Sequence, residues 1–125
     1  MKDLFMINPR TGLKDVVGVG NAIVDVITHA DDIFLEQHGI KKGSMNLINP
    51  LEAASIYSSM TNTVAIAGGS VSNTMSGLAS FGGSGSYIGK VKDDVMGFQF
   101  RNSLTREGIT MEDNLSSGIN PTAQC

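Results

Sequence analysis

The amino-acid sequence predicts an α/β fold in which a mostly parallel sheet is flanked by helices. Three observations carry that prediction. Apolar, β-branched runs alternate with helical patterns in the order strand, helix, strand, helix, strand, helix. The first run, "DVVGVGNAIVDVI" over residues 15–27, is apolar almost throughout, as in strands covered on both faces. The run "TVAIA" passes through Gly68-Gly69 directly into a helical pattern, a strand–turn–helix junction of the kind a parallel layout repeats.

The elements follow in order. Residues 1–14 mix residue types around Pro9, Arg10 and Gly12 and read as a loose N-terminal arm, with the α/β unit over residues 15–125. "ADDIFLEQHG" predicts a short helix from about Asp31, stopped by Gly39. "GSMNLI", residues 43–48, reads as a brief strand. In "NPLEAASIYSSM", Asn49 caps a helix, Pro50 takes its first position and Glu52 closes a capping box. The helix after the double glycine places Val71, Met75, Leu78 and Ala79 on one face, with Gly77 and Gly82 admitting close neighbours. "SYIGKV" predicts a strand and "DDVMGFQFRNSLTREG" a helix ending on Gly108. "ITMED" and "TAQC" predict late, short strands.

Composition narrows the function. A length of 125 residues fits one domain, and 41% hydrophobic residues can fill a core. The net charge of -3, with Lys and Arg scattered, lacks the basic stripe that nucleic acids or anionic membranes require. No apolar run reaches the roughly 18 residues of a membrane span, and the start lacks a signal-peptide layout. One Cys, at position 125, excludes an internal disulfide and a Cys-based zinc site. The expected compartment is the cytoplasm. The closing "SSGINPTAQC" starts a new run after Asn120-Pro121 with no element to follow. A part of a longer protein is expected over a short protein with a frayed end.

Two places can carry chemistry. At Gly68-Gly69 a strand meets a helix start, where N–H groups lack internal partners and the dipole favours electron-rich atoms. The glycines either expose main chain to a ligand or simply make a tight turn. The P-loop spacing is absent, and "GVGNAI" has Ile23 where a dinucleotide fingerprint needs its third glycine. Asn21 and Asp25 are polar positions in an otherwise apolar run, and a carboxylate there needs a partner. At a strand's carboxyl end, Asp25 could accept from both hydroxyls of a ribose cis-diol. A strand-end Asp capping a loop is the other reading. Asn73, four residues past Gly69, could complete one crevice with them. His29 and His38 have no ligand-spaced partners, Asp93-Asp94 read as helix caps, and Cys125 has no basic neighbour to activate it.

The strings "VVGVGNAIVDV", "AGGSVSNTMSGLASFGG", "YIGKVKDDVMG" and "NPTAQC" stand in the order found at the N-terminus of ribokinase-like (PfkB-type) carbohydrate and nucleoside kinases, which residues 15–125 resemble. "GNAIVD" followed by "GSMNLI" is most similar to the adenosine-kinase-like branch. The resemblance implies a partial ribokinase-like fold and transfer of a phosphoryl group from ATP, with Mg²⁺, to a primary hydroxyl of a sugar or nucleoside. It implies that Asp25 holds sugar hydroxyls, that Asn21 shapes the pocket, and that Gly68, Gly69 and Asn73 form its wall. It further implies a small β-sheet lid, from strands at about residues 43–48 and 109–125, which closes over the substrate and can mediate homodimer contacts. Met45, Leu47 and Cys125 would then face the substrate. The sequence departs from the pattern at Val71, Met75 and Lys92, where small residues or glycine are usual. The second signature, around Gly-Ala-Gly-Asp, supplies the catalytic base and most of the ATP site, and is expected beyond residue 125. The chain by itself is therefore expected to be inactive. A non-catalytic α/β binding or dimerisation module is the alternative, since edge strands invite pairing.

Overall fold

The computed structural model describes residues 12–112 and 115–125. Residues 1–11 of the expected arm and Asp113 of the "ITMED" run lie outside the described residues. The elements are β1 (Val16–Val19), β2 (Ile23–Ile27), α1 (Asp32–Gln37), α2 (Pro50–Ser59), β3 (Val64–Gly68), α3 (Ser70–Ser80), β4 (Gly85–Ile88), β5 (Val91–Lys92), α4 (Val95–Arg106), β6 (Thr110–Met111), β7 (Leu115–Ser116) and β8 (Ala123–Gln124). One sheet has the order β1-β4-β6, a second β3-β2-β8, and β5 pairs with β7. Every pairing is parallel except β2 with β3. The mostly parallel α/β class is therefore what the chain adopts.

The long first run is two strands rather than one. β1 ends where the Gly20 N–H donates to the Ile88 carbonyl at 3.1 Å, and β2 leaves for the other sheet, to lie between β3 and β8. β2 is also covered on one face only. Val24 is fully buried and Val26 packs on the core, whereas Ile27 on the opposite face is 54% exposed. "SYIGKV" likewise divides at Gly89-Lys90 into β4 and β5.

The stretch 43–48 is not a strand, contrary to its sequence pattern. Met45 and Leu47 alternate as in a strand, but a strand needs a neighbouring ladder, and none forms there. Local bonds shape it instead: the Ser44 hydroxyl donates to the Lys41 carbonyl at 2.7 Å. A small second sheet does exist, yet of the segments expected to build a lid only the last, β8, contributes to it. β6 extends the first sheet and β7 pairs with β5.

The helices start as their sequences dictate. Asp31 caps α1, accepting from the Phe34 N–H at 2.8 Å. Asn49 and Glu52 close a reciprocal capping box on α2 with Pro50 at its start. α3 turns Met75 into the core, with Val71, Leu78 and Ala79 against it, as the periodicity predicts. Close approach occurs at glycines other than those expected. Gly77 and Gly82 have open space around them, while side chains at Gly18 or Gly20 would strike Val71 at 2.7–2.8 Å. The larger residues at 71 and 75 thus fit because "GVG" spans the end of β1 and the residue after it, which accounts for that string without a dinucleotide.

α4 closes the core with Met96, Phe100 and Leu104, and the Phe100 ring meets Tyr87 at a centroid distance of 5.5 Å. Its cap is also a clasp. The Asp94 carboxylate accepts from the Gly97 N–H (2.8 Å), the Thr122 N–H (2.9 Å) and the Thr122 hydroxyl (2.7 Å). Burial pushes this carboxyl up, but the bonds from Thr122 and Gly97 and the nearby Lys92 charge outweigh it and hold the group below its ordinary value.

Because the folded-state value is depressed, Asp94 stabilises the fold above about pH 4, and the contribution is lost as pH falls through the lowered value. Asp94→Ala should cost about 1 kcal/mol near neutrality, as lost caps do, and should flatten the acid limb of stability against pH in urea titrations. Tyr87 gives the opposite case. Its hydroxyl is buried with no hydrogen-bond partner among the described residues, and burial raises its ionisation above 10.0. Tyr87→Phe should leave stability unchanged or raise it by up to about 1 kcal/mol. It should also remove the Tyr87 share of the stability loss expected as pH climbs past 10.

Candidate substrate site

Asp25 sits in the middle of β2, opposite Ile66 of β3. Its side chain is half-buried on the open face of the second sheet. The carboxylate lies directly over Gly68, and a Cβ built on Gly68 would overlap it. Glycine is thus required at 68 for room. Among the described residues no hydrogen bond or ion pair engages the Asp25 carboxylate; the Lys42–Asp32 ion pair lies elsewhere, on the surface.

Gly69 is required for a different reason. Its φ of 95° is one that side-chain-bearing residues rarely adopt, and the Asn21 carbonyl lies 3.0 Å from where its Cβ would stand. It precedes α3 with no side-chain cap, so the α3 start keeps main-chain donors free of an internal acceptor. The turn is locked by Ser72, which sequence reading passed over. Its buried hydroxyl is shared between the Gly68 and Gly69 carbonyl oxygens. The signal was a serine one turn into the helix, indistinguishable from ordinary back-bonding to the preceding turn.

Asp25, Gly68, Gly69 and the Asn21 main chain therefore come together. Asn73 lies on the first turn of α3, exposed, with its N–H donating to the Gly69 carbonyl at 3.0 Å. Cys125 joins from the far side. Its N–H donates to the Val24 carbonyl at 2.9 Å and its carbonyl accepts from the Val26 N–H at 2.7 Å, so its main chain brackets Asp25. Met45 and Leu47 are not brought there. They are 87% and 95% exposed, and Leu47 lines a separate cleft of about 430 Å³ with His38, Ile40, Glu52 and Ile56. Chemically the arrangement offers a carboxylate with open lone pairs beside main-chain donors, a receptor for neighbouring hydroxyl groups.

Gly68→Ala tests the geometry. The added methyl must displace the carboxylate, and overpacking of this kind costs about 1–3 kcal/mol. Denaturant unfolding should register that loss, whereas Gly77→Ala, facing open space, should be neutral or stabilising.

No family model matches the sequence. Solved structures match it closely. Adenosine kinase from Sinorhizobium meliloti superposes with a TM-score of 0.72 at 46% identity, over 89% of this chain and 34% of that one. A probable sugar kinase from Rhizobium etli gives 0.72 at 38% identity, over 89% and 34%. Adenosine kinase from Schistosoma mansoni, in complex with adenosine, gives 0.70 at 24% identity, over 87% and 33%, a likeness that speaks to the fold alone. The chain spans about one third of the length of these kinases. In fold and in sequence the chain is similar to about one third of these kinases, and its α/β arrangement matches part of the ribokinase-like fold.

Proposed function

We propose that this chain forms the substrate-binding, lid-bearing part of an ATP-dependent kinase that phosphorylates a primary hydroxyl of adenosine or a related ribose-containing or sugar substrate. One observation carries the reading: the Asp25 carboxylate stands over Gly68, beside an uncapped helix start, with no described residue holding it. Its two oxygens suit the two hydroxyls of a cis-diol. The likeness to adenosine and sugar kinases supports the same substrate class. In this reading Asn21, Gly68, Gly69 and Asn73 wall the site and Cys125 backs it. Met45 and Leu47, on the exposed stretch 43–48, close over the substrate, and that lid carries homodimer contacts.

ATP and Mg²⁺ belong, in this reading, to the length of the kinases that the chain does not span. Among the described residues no group of three or more His, Cys, Asp or Glu side chains is placed to hold a metal ion. The catalytic base is assigned beyond residue 125, and the chain alone should bind polyols without turning over ATP. We place the protein in the cytoplasm, with no nucleic-acid or membrane partner. Among the described residues no helix is long and apolar enough to cross a membrane.

The test combines activity with binding. The full protein should show ATP turnover stimulated by adenosine or by a member of a sugar panel. Asp25→Ala should weaken the stimulating polyol by at least about tenfold, since each bond to a charged acceptor contributes roughly 1.5–3 kcal/mol. Absence of polyol-stimulated turnover, or an Asp25→Ala variant with wild-type affinity by calorimetry, would overturn the assignment.

A further inference from the structure

We infer that Asp94 and Thr122 are positioning residues for the Asp25 site, their clasp seating β8 beside β2 and so fixing Asp25 from the side opposite β3. The inference rests on the reading of Asp25 as the carboxylate that grips the polyol.

β8 cannot hold itself in place by burial. It is two residues long, both exposed, and β2 is its strand neighbour. Yet the segment supplies the two hydrogen bonds, through Cys125, that bracket Asp25 at Val24 and Val26. The buried point of the segment is Thr122, 4% exposed. Its hydroxyl donates to Asp94 and accepts from the Lys92 N–H at 2.9 Å, while its own N–H donates to the other Asp94 oxygen. A further bond, from the Lys92 ammonium to the Ile119 carbonyl at 3.1 Å, steadies the approach to it.

The clasp is rigid because its other half is built into the core. Asp94 caps α4, whose Met96, Phe100 and Leu104 are buried. Gly97 lets the pieces meet, since a Cβ there would overlap the Lys92 carbonyl and come within 3.1 Å of the Thr122 hydroxyl. A continuous path of contacts therefore runs from the core through α4, Asp94 and Thr122 to β8 and Asp25. A slack link in such a path misplaces the carboxylate without removing it.

Thr122→Val in the full protein is the test, because it deletes the hydroxyl bonds and leaves Asp94 free to cap α4. Calorimetry should show adenosine binding weakened about tenfold, the scale of loss that small misplacements produce, with ATP affinity at wild type. Thr122→Ser, which restores the hydroxyl, should bind as wild type does. The Val26 amide, protected by the Cys125 carbonyl, should exchange hydrogen about tenfold faster in Thr122→Val. Should that variant fail to fold, Asp94→Asn takes the same measurements. Unchanged adenosine affinity, or equal losses for adenosine and ATP, overturns the inference. Asp25→Ala run in parallel separates the two claims. If it weakens adenosine while Thr122→Val does not, the clasp assignment alone falls; if it has no effect on adenosine, the reading of Asp25 falls with it.

Discussion

The Asp25 carboxylate occupies the space that a side chain at position 68 would take. A charged group in the middle of a strand is normally driven to solvent or to an ion partner. Here it is laid across the neighbouring strand, which can admit it because residue 68 is glycine. That placement in turn brings the carboxylate to the point where β3 ends and α3 begins. The local geometry of β2, β3 and the α3 start thus follows from one steric concession.

The same substitution of space for side chain recurs on the other side of the junction. Gly18 and Gly20 yield to Val71, and Met75 follows it into the core one turn later. α3 is thereby pressed against β1 at the end that faces the turn, while Ser72 ties the turn's carbonyl oxygens to the helix. Its leading donors stay uncommitted, yet their position is fixed by packing behind them. In the proposed reading this receptor need not rearrange, and so loses less on binding than one that must be ordered first.

Much of this was legible in the residues, and what was not failed for identifiable reasons. Capping chemistry is local, so α1, α2 and α4 began where Asp31, Asn49 and Asp94 said they would. Periodicity marked the buried face of α3. The pairing of Asp25 with Gly68-Gly69 was also visible, because the chemistry of each position is written in its own residue type. The division of the first run between two sheets was not, since an apolar string carries no record of which partner each half will find. Alternation misled at 43–48, where a strand pattern had no ladder to join. The Thr122 clasp was invisible for a similar reason: the two groups are 28 residues apart, and a threonine beside a proline looks like any turn.

The position of β8 has a consequence for how the protein is made. Ile23 of β2 pairs with Ala123 of β8, at opposite ends of the described chain, while its other partner, β3, emerges from the ribosome far earlier. Contacts so remote in sequence form slowly, and only after the intervening chain is paid out. During synthesis β2 therefore waits as an unprotected margin beside Ile27 and Ile66, at a stage when nascent chains adhere to one another. The segment that brackets Asp25 through Cys125 is translated about a hundred residues after β2, so that margin of β2 is covered only once residues 123–125 have emerged.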